Sequence, residues 1–177
     1  MSEELRLVWV DLEMTGLIPE KDQILEMATI ISNIDLEIIA SGPELVIHQD
    51  KKVLDAMDEW NQNHHKKSGL IERVLQSKVT LEEAEAKTLD FIKAHVKENK
   101  GILAGNSIWQ DRRFIIQHMP KIDGYLHYRL MDVSTIKILA NSWYKIAPFR
   151  KKEAHRAKSD IEESIQELKF YKEKCFK

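Results

Sequence analysis

The segment Leu5-Arg6-Leu7-Val8-Trp9-Val10 is apolar at almost every position and runs without a break into Asp11-Leu12-Glu13. An alternating strand hides one face, whereas a continuous apolar run hides both, so this segment reads as a central strand covered by helices on either side. Side chains on a strand alternate, so Asp11 and Glu13 project from the same face. Two carboxylates close together at the carboxyl end of a central strand occupy the place where sheets of this class put their sites. On its own the pair also fits a solvated strand end, the usual setting of surface charge.

The rest of the chain reads as strands first and helices after. Met14 to Lys21, with Gly16 and Pro19, is a loop, and the β-branched run Gln23 to Ile34 a second strand. Leu36 to Ala40 gives a third, and Glu44 to His48 continues after the Gly42-Pro43 break. Val53 to His64 has Leu54, Met57 and Trp60 at helical spacing, and a short helix, Leu70 to Gln76, follows Gly69. Thr80-Leu81-Glu82-Glu83 is a capping box that opens a helix to about Val96. Ile102 to Gly105 is a short buried strand, and Asp111 to His118 a helix stopped at Pro120. Arg129 to Asp132 reads as a strand, Val133 to Asn141 as a helix, and Ser159 to Lys174 as the closing helix. This order suggests a mixed sheet covered by helices, and the 177 residues suggest one domain, 1–177.

Charged residues make up 32% of the chain and the net charge is −2. Proteins that track long nucleic acid usually carry a strong basic excess, because each neutralised phosphate adds affinity. If the substrate is a nucleic acid, a short one suits this balance better. Cys175 is the one cysteine, no apolar run has membrane-spanning length, and Met1-Ser2-Glu3-Glu4 is unlike a signal peptide. These features favour a cytoplasmic location without membrane association.

Two further stretches contain acids, Asn106 to Asp111 and His155 to Asp160. Asp111 alone can be a helix N-cap, and His155 and Asp160 a surface imidazole and a first-turn acid. Together with Asp11 and Glu13 they supply four carboxylates and one imidazole, enough to hold two hard ions and activate a water.

In order and spacing these stretches resemble the three motifs of the DEDDh class of 3′-to-5′ exonucleases, in the DnaQ-like, RNase H-like superfamily. The runs Val10 to Leu17, Met57 to Asn61, Gly105 to Ile108, Gln110 to Phe114, His127 to Arg129 and Asp132 to Thr135 are similar to the oligoribonuclease family across almost the whole chain. Ser159 departs from the pattern, since many relatives carry an acid there, and Trp143 to Glu153, with Arg150-Lys151-Lys152, does not align.

The resemblance implies an α/β fold, an RNase H-like mixed five-stranded sheet flanked by helices. It implies that Asp11, Glu13, Asp111 and Asp160 ligate two divalent ions, Mg²⁺ or Mn²⁺, and that His155 is the general base. A base of that kind must be neutral, so activity is expected to climb from about pH 6 to 8. Leu17 and Trp60 would sandwich the terminal bases, although helical spacing alone makes Trp60 a packing residue. Gly16 would let backbone approach the sugar, with Met14 in the same substrate-binding set. His65, Ser107 and Gln110 would contact phosphates. The neighbouring pair His64-His65 also suggests a metal site, but successive residues on a helix face apart. Members of the family form homodimers in which the counterparts of Tyr128 and Arg129 cap the 5′ phosphate in the partner's site. Such a cap favours short RNA, dinucleotides above all. The competing readings are a sibling exonuclease trimming longer RNA or DNA, a silent nucleic-acid-binding domain, and a structural Mg²⁺-binding protein.

Overall fold

The computed structural model describes residues 5–150 and 156–176. The first strand, β1 (Arg6–Met14), is the middle of a five-stranded mixed sheet. It pairs antiparallel with β2 (Ile24–Ser32), which pairs antiparallel with β3 (Ile38–Val46) at one edge. On its other side β1 runs parallel to β4 (Gly101–Gly105), which runs parallel to β5 (Leu130–Asp132), giving the order β3-β2-β1-β4-β5.

Alternation along β1 divides the core in two. Val8, Val10 and Leu12 pack on one face with Ile92, Phe114 and Ile122. These come from α4 (Leu81–His95), α5 (Ile108–His118) and α6 (Pro120–Tyr125). Leu7 and Trp9 pack on the other with Val133 of α7 (Val133–Tyr144) and with Ile161, Ile165 and Leu168 of α8 (Ala157–Cys175). Asp11 and Glu13 continue the Leu7–Trp9 series, so they emerge from the sheet on the side of α8. A small outer cluster of Leu25, Leu54, Met57, Leu70 and Val74 seats α1 (Lys51–Asp55) and α3 (Leu70–Gln76) against β2, and α2 (Glu59–Lys67) packs on α3.

Several boundaries depart from those expected. β3 continues through Gly42-Pro43. It is an edge strand, where proline's missing N–H costs no ladder bond, and any side chain at Gly42 would collide with the Phe91 ring. The helix expected over Val53 to His64 is two helices, because Asp58 caps α2 by accepting from the Asn61 N–H at 2.8 Å. That break leaves Trp60 exposed and outside the Leu54–Met57 cluster. Pro120 opens α6 from its first position instead of only ending α5. Asp111 lies inside the first turns of α5, whose N-cap is Ser107 at φ 52°. The Thr80–Glu83 capping box forms as expected, with both reciprocal bonds. Among the described residues, no helix is long and apolar enough to cross a membrane.

Candidate active site

Carboxylate oxygens of Asp11, Glu13 and Asp160 lie within 4.8 Å of one another. β1 supplies the first two, and the first turn of α8 brings the third across its open end. Within α8, Ser164 Oγ donates to the Asp160 carbonyl at 2.7 Å. Asn106 donates to Ser164 Oγ at 2.8 Å and to Glu167 at 3.1 Å, tying the loop after β4 to the same helix. Asp111 arrives from α5 and is almost fully buried. One of its oxygens accepts the Leu12 N–H at 3.1 Å, which ties it to the strand that carries the two β1 acids, and its charge acts on Glu13, although it is not among the three carboxylates that lie within 4.8 Å of one another.

The electrostatics of this arrangement are unfavourable without a cation. Burial, and then the charges of Glu26, Asp160 and Asp111, push Glu13 up to about 7. Burial likewise pushes Asp111 up to about 7. A cluster of oxygen donors that repel one another and resist ionisation suits a hard divalent ion. Because both acids hold protons in the folded state that they lose in the unfolded state, their contribution to stability is greatest in acid. It falls away as pH rises from about 4 to 7. A bound divalent cation removes the penalty by displacing those protons. Thermal unfolding with chelator should therefore show Tm falling over that range, and Mg²⁺ should raise Tm more at pH 8 than at pH 6. An equal Mg²⁺ effect at both pH values would separate the ion from Glu13 and Asp111.

The loop after β1 is built to present Leu17. Asp22 accepts the Ile18 N–H at 2.9 Å and the Thr15 hydroxyl at 3.1 Å. A Cβ at Gly16 would overlap the Asp22 carboxylate, which gives this glycine a packing reason of its own. Gln110 Nε2 donates to the Leu17 carbonyl at 2.7 Å and Gln110 Oε1 accepts from Arg113 at 3.0 Å. The Gln110 amide thus supports the Leu17 loop. Leu17 remains 65% exposed and Trp60 69% exposed, although both are large and apolar. They line one cleft of about 590 Å³ with Thr15, Gly16, Met57 and Asn61. The Trp60 ring stacks on His64 at 4.9 Å, 7° from parallel.

His65 is buried beside this cleft. Its Nε2 lies 2.8 Å from the Met14 carbonyl, and its Nδ1 lies 3.9 Å from Glu13 Oε2. Burial lowers its pKa, which favours the neutral ring. Ser107 sits at the mouth of α5, its N–H donating to Asp132 and Ser134, each at 3.0 Å. Tyr128 and Arg129 form an exposed corner elsewhere. The Tyr128 ring stacks on His127 at 4.5 Å, the Arg129 guanidinium lies 5.5 Å from the Tyr128 ring centre, and Arg112 holds the His127 and Tyr128 carbonyls. His155 lies outside the described residues, as do Lys151 and Lys152.

Asp22, Asn106, Arg113 and the buried ion pair of Glu26 with Arg73 belong to this site's framework but were not singled out from the sequence. Asn106 and Arg113 lie inside runs that carry the family resemblance, whereas Asp22, Glu26 and Arg73 leave no local signal; pairing of β1 with β2 sets Glu26 directly opposite Glu13.

Comparison with known proteins agrees with this architecture. The exonuclease family model named for RNase T matches residues 8–168. The oligoribonuclease of Ruthia magnifica is 51% identical over 174 residues, covering 97% of each chain. That of Pseudomonas syringae pv. syringae is 50% identical over 177 residues, covering 100% of this chain and 99% of its own. Among solved structures, exonuclease I from Methylocaldum szegediense superposes with a TM-score of 0.71 at 13% identity, over 97% of this chain and 41% of that one. E. coli exonuclease I in complex with a dT13 oligonucleotide gives 0.68 at 12% identity, over 97% and 42%. The chain spans about two fifths of these exonuclease I chains, and they share its fold. The chain belongs to the exonuclease family, and within it to the oligoribonucleases.

Proposed function

We propose that this chain is a 3′-to-5′ exoribonuclease that degrades very short RNA, dinucleotides above all, to 5′-mononucleotides, a late step of RNA decay in the cytoplasm. The observation that carries this reading is the convergence of Asp11, Glu13 and Asp160 beside a cleft bearing the exposed pair Leu17 and Trp60. The full-length oligoribonuclease relatives support the substrate class.

Asp11, Glu13, Asp111 and Asp160 would hold two divalent ions, Mg²⁺ or Mn²⁺. When bound, these supply a water of lowered pKa and offset charge on the departing 3′ oxygen. His155 takes the proton from the attacking water. Ser107 faces phosphate oxygens, His65 acts on the phosphate only through Glu13 beside it, Gln110 acts through the Leu17 loop, and Met14 and Gly16 line the sugar. Leu17 and Trp60 clasp the terminal bases. A Trp face stacks on any base, so the reading is indifferent to sequence. Stacking of this kind contributes about 1–3 kcal/mol per base, so Trp60→Ala should lower kcat/KM on a dinucleotide by roughly 10- to 100-fold. Steady-state rates on labelled RNA check this, and an unchanged rate would return Trp60 to a packing role.

The proposed assembly is a homodimer in which Tyr128 and Arg129 reach the partner's site and cap the 5′ phosphate. Exposed apolar surface supports it: Tyr128 is 71% exposed, and Ile138, Trp143 and Tyr144 of α7 are 63%, 71% and 56% exposed. Arg129 offers a planar donor fork to phosphate. Arg129→Ala should reduce turnover of 5′-phosphorylated dinucleotides about tenfold or more and leave seven-residue RNA much less affected. Equal loss at both lengths would count against the cap.

The function itself is tested with 5′-phosphorylated RNA of two to seven nucleotides, matched DNA, and Asp11→Ala as control. Fast conversion of the shortest RNAs, absent in the control, is expected. Preference for long RNA or for DNA would make the protein a sibling exonuclease, and absence of turnover a binding domain.

A further inference from the structure

Glu13 stands between two donor sets of different chemical character. On one side are the oxygens of Asp11 and Asp160, and on the other the ring nitrogens of His64 and His65; in each set the donor atoms lie within 4.8 Å of one another. The sequence argues against the second set, because neighbouring residues on a helix point apart. The fold overrides this by turning His64 over Trp60 and edge-on to His65, whose ring centre is 5.5 Å away.

The decisive atom is His65 Nδ1. A carbonyl can only accept, so the 2.8 Å contact to Met14 places the ring proton on Nε2 and leaves Nδ1 with a lone pair. The side chain is 2% exposed, and Nδ1 has no hydrogen-bond partner. It faces Glu13 Oε2 at 3.9 Å. An imidazole fixed by a backbone carbonyl through one nitrogen, with the other bare and aimed at a carboxylate, is how metal-ligating histidines are held. Ligands about 2.0–2.1 Å from a tetrahedral ion lie about 3.3 Å apart, so a spacing within 4.8 Å closes by at most about 1.5 Å per pair, under about 1 Å for each atom when both move. His64 is half-buried, on the solvent side of its buried neighbour His65.

We infer that Glu13, His64 and His65 form a second metal site, selective for zinc or a similar nitrogen-seeking ion, whose occupation takes Glu13 away from the all-oxygen set and inhibits the enzyme. The selectivity follows from donor type: imidazole favours Zn²⁺, whereas Mg²⁺ favours the carboxylates. The site stands on geometry alone; only its inhibitory effect rests on the ribonuclease reading. Zinc there ties His64 to Glu13, so it also acts on the stacked Trp60 platform.

Two measurements on the full chain decide the matter. In ¹⁵N-labelled protein, one equivalent of Zn²⁺ should shift a ring nitrogen of His64 and Nδ1 of His65 as ligation does, and Mg²⁺ should not. In a dinucleotide assay at fixed Mg²⁺, with each variant scaled to its own zinc-free rate, His64→Ala should need roughly tenfold more Zn²⁺ for half-inhibition. His64 lies on the surface side of α2, and an unchanged Tm confirms that the variant folds. Ring nitrogens unmoved by Zn²⁺ would overturn the site. Equal zinc sensitivity in His64→Ala and wild type would overturn the inhibitory role, placing zinc on the four carboxylates. Failure to cleave any RNA would strike the ribonuclease reading instead, and the nitrogen shifts would still decide whether the zinc site exists.

Discussion

Asp111→Asn is expected to lower turnover of a dinucleotide by roughly a thousandfold, which corresponds to about 4 kcal/mol of transition-state stabilisation. The same change should leave the metal-free protein as stable as wild type, or more so at pH 8. The reason lies in the two roles of the one carboxylate. As a structural group it accepts the Leu12 N–H at 3.1 Å, and an asparagine carbonyl accepts that bond equally well. As a charge it is a burden, since burial holds it at about 7, and the amide removes the cost of ionising it. What the amide cannot do is supply an anionic oxygen to a divalent ion. Activity and Tm should therefore separate, and the extra Tm given by Mg²⁺ should shrink. Kinetics together with thermal unfolding at pH 8, with Mg²⁺ and with chelator, makes the comparison. Parallel loss of activity and of metal-free Tm would mean that Asp111 matters as a packing residue.

Of the acids around Asp111, Asp11 and Glu13 are visible in the sequence because they end a recognisable element. The apolar run into Asp11 and Glu13 identifies a central strand, and alternation alone puts both acids on one face. The meeting of Asp160 with that face is not local: it depends on α8 packing its Ile161–Ile165–Leu168 stripe on Leu7 and Trp9. Only the resemblance to a family, and not periodicity, joins the two. Trp60 shows the opposite failure. Its spacing from Leu54 and Met57 fits a buried helical face, and the Asp58 cap undoes that fit by starting a new helix two residues before it. The roles of Gln110 and Asp22 are equally hidden, since each is defined by a carbonyl or amide of the Leu17 loop that the chain reaches only after folding. His64 and His65 face one carboxylate for a similar reason, through stacking on Trp60 that helix geometry does not foretell.

Replacing Arg73 should destabilise the protein by about 3–5 kcal/mol, because it strands a buried charge. The Glu26 side chain is 1% exposed, inside β2, and both of its oxygens are held by the Arg73 guanidinium of α3, itself 31% exposed. Breaking such a pair costs far more than the pair contributes over an apolar alternative, since the remaining carboxylate keeps its desolvation penalty. For a chain of this size the loss corresponds to a fall in Tm of about 10 °C. The effect reaches the site through register, as Glu26 is the partner of Glu13. Arg73 lowers the pKa of Glu13 while Glu26 raises it, so Arg73→Met leaves Glu13 facing an uncompensated neighbour and should weaken divalent-ion-dependent activity at neutral pH. Glu26→Gln in the same background removes the stranded charge, and most of the lost Tm should return. A double variant no more stable than Arg73→Met would place the cost in lost packing of the arginine stem instead of in the buried carboxylate. Chelated and Mg²⁺-loaded unfolding curves of the two variants distinguish these cases, since the buried charge is felt most where no cation relieves the neighbouring acids.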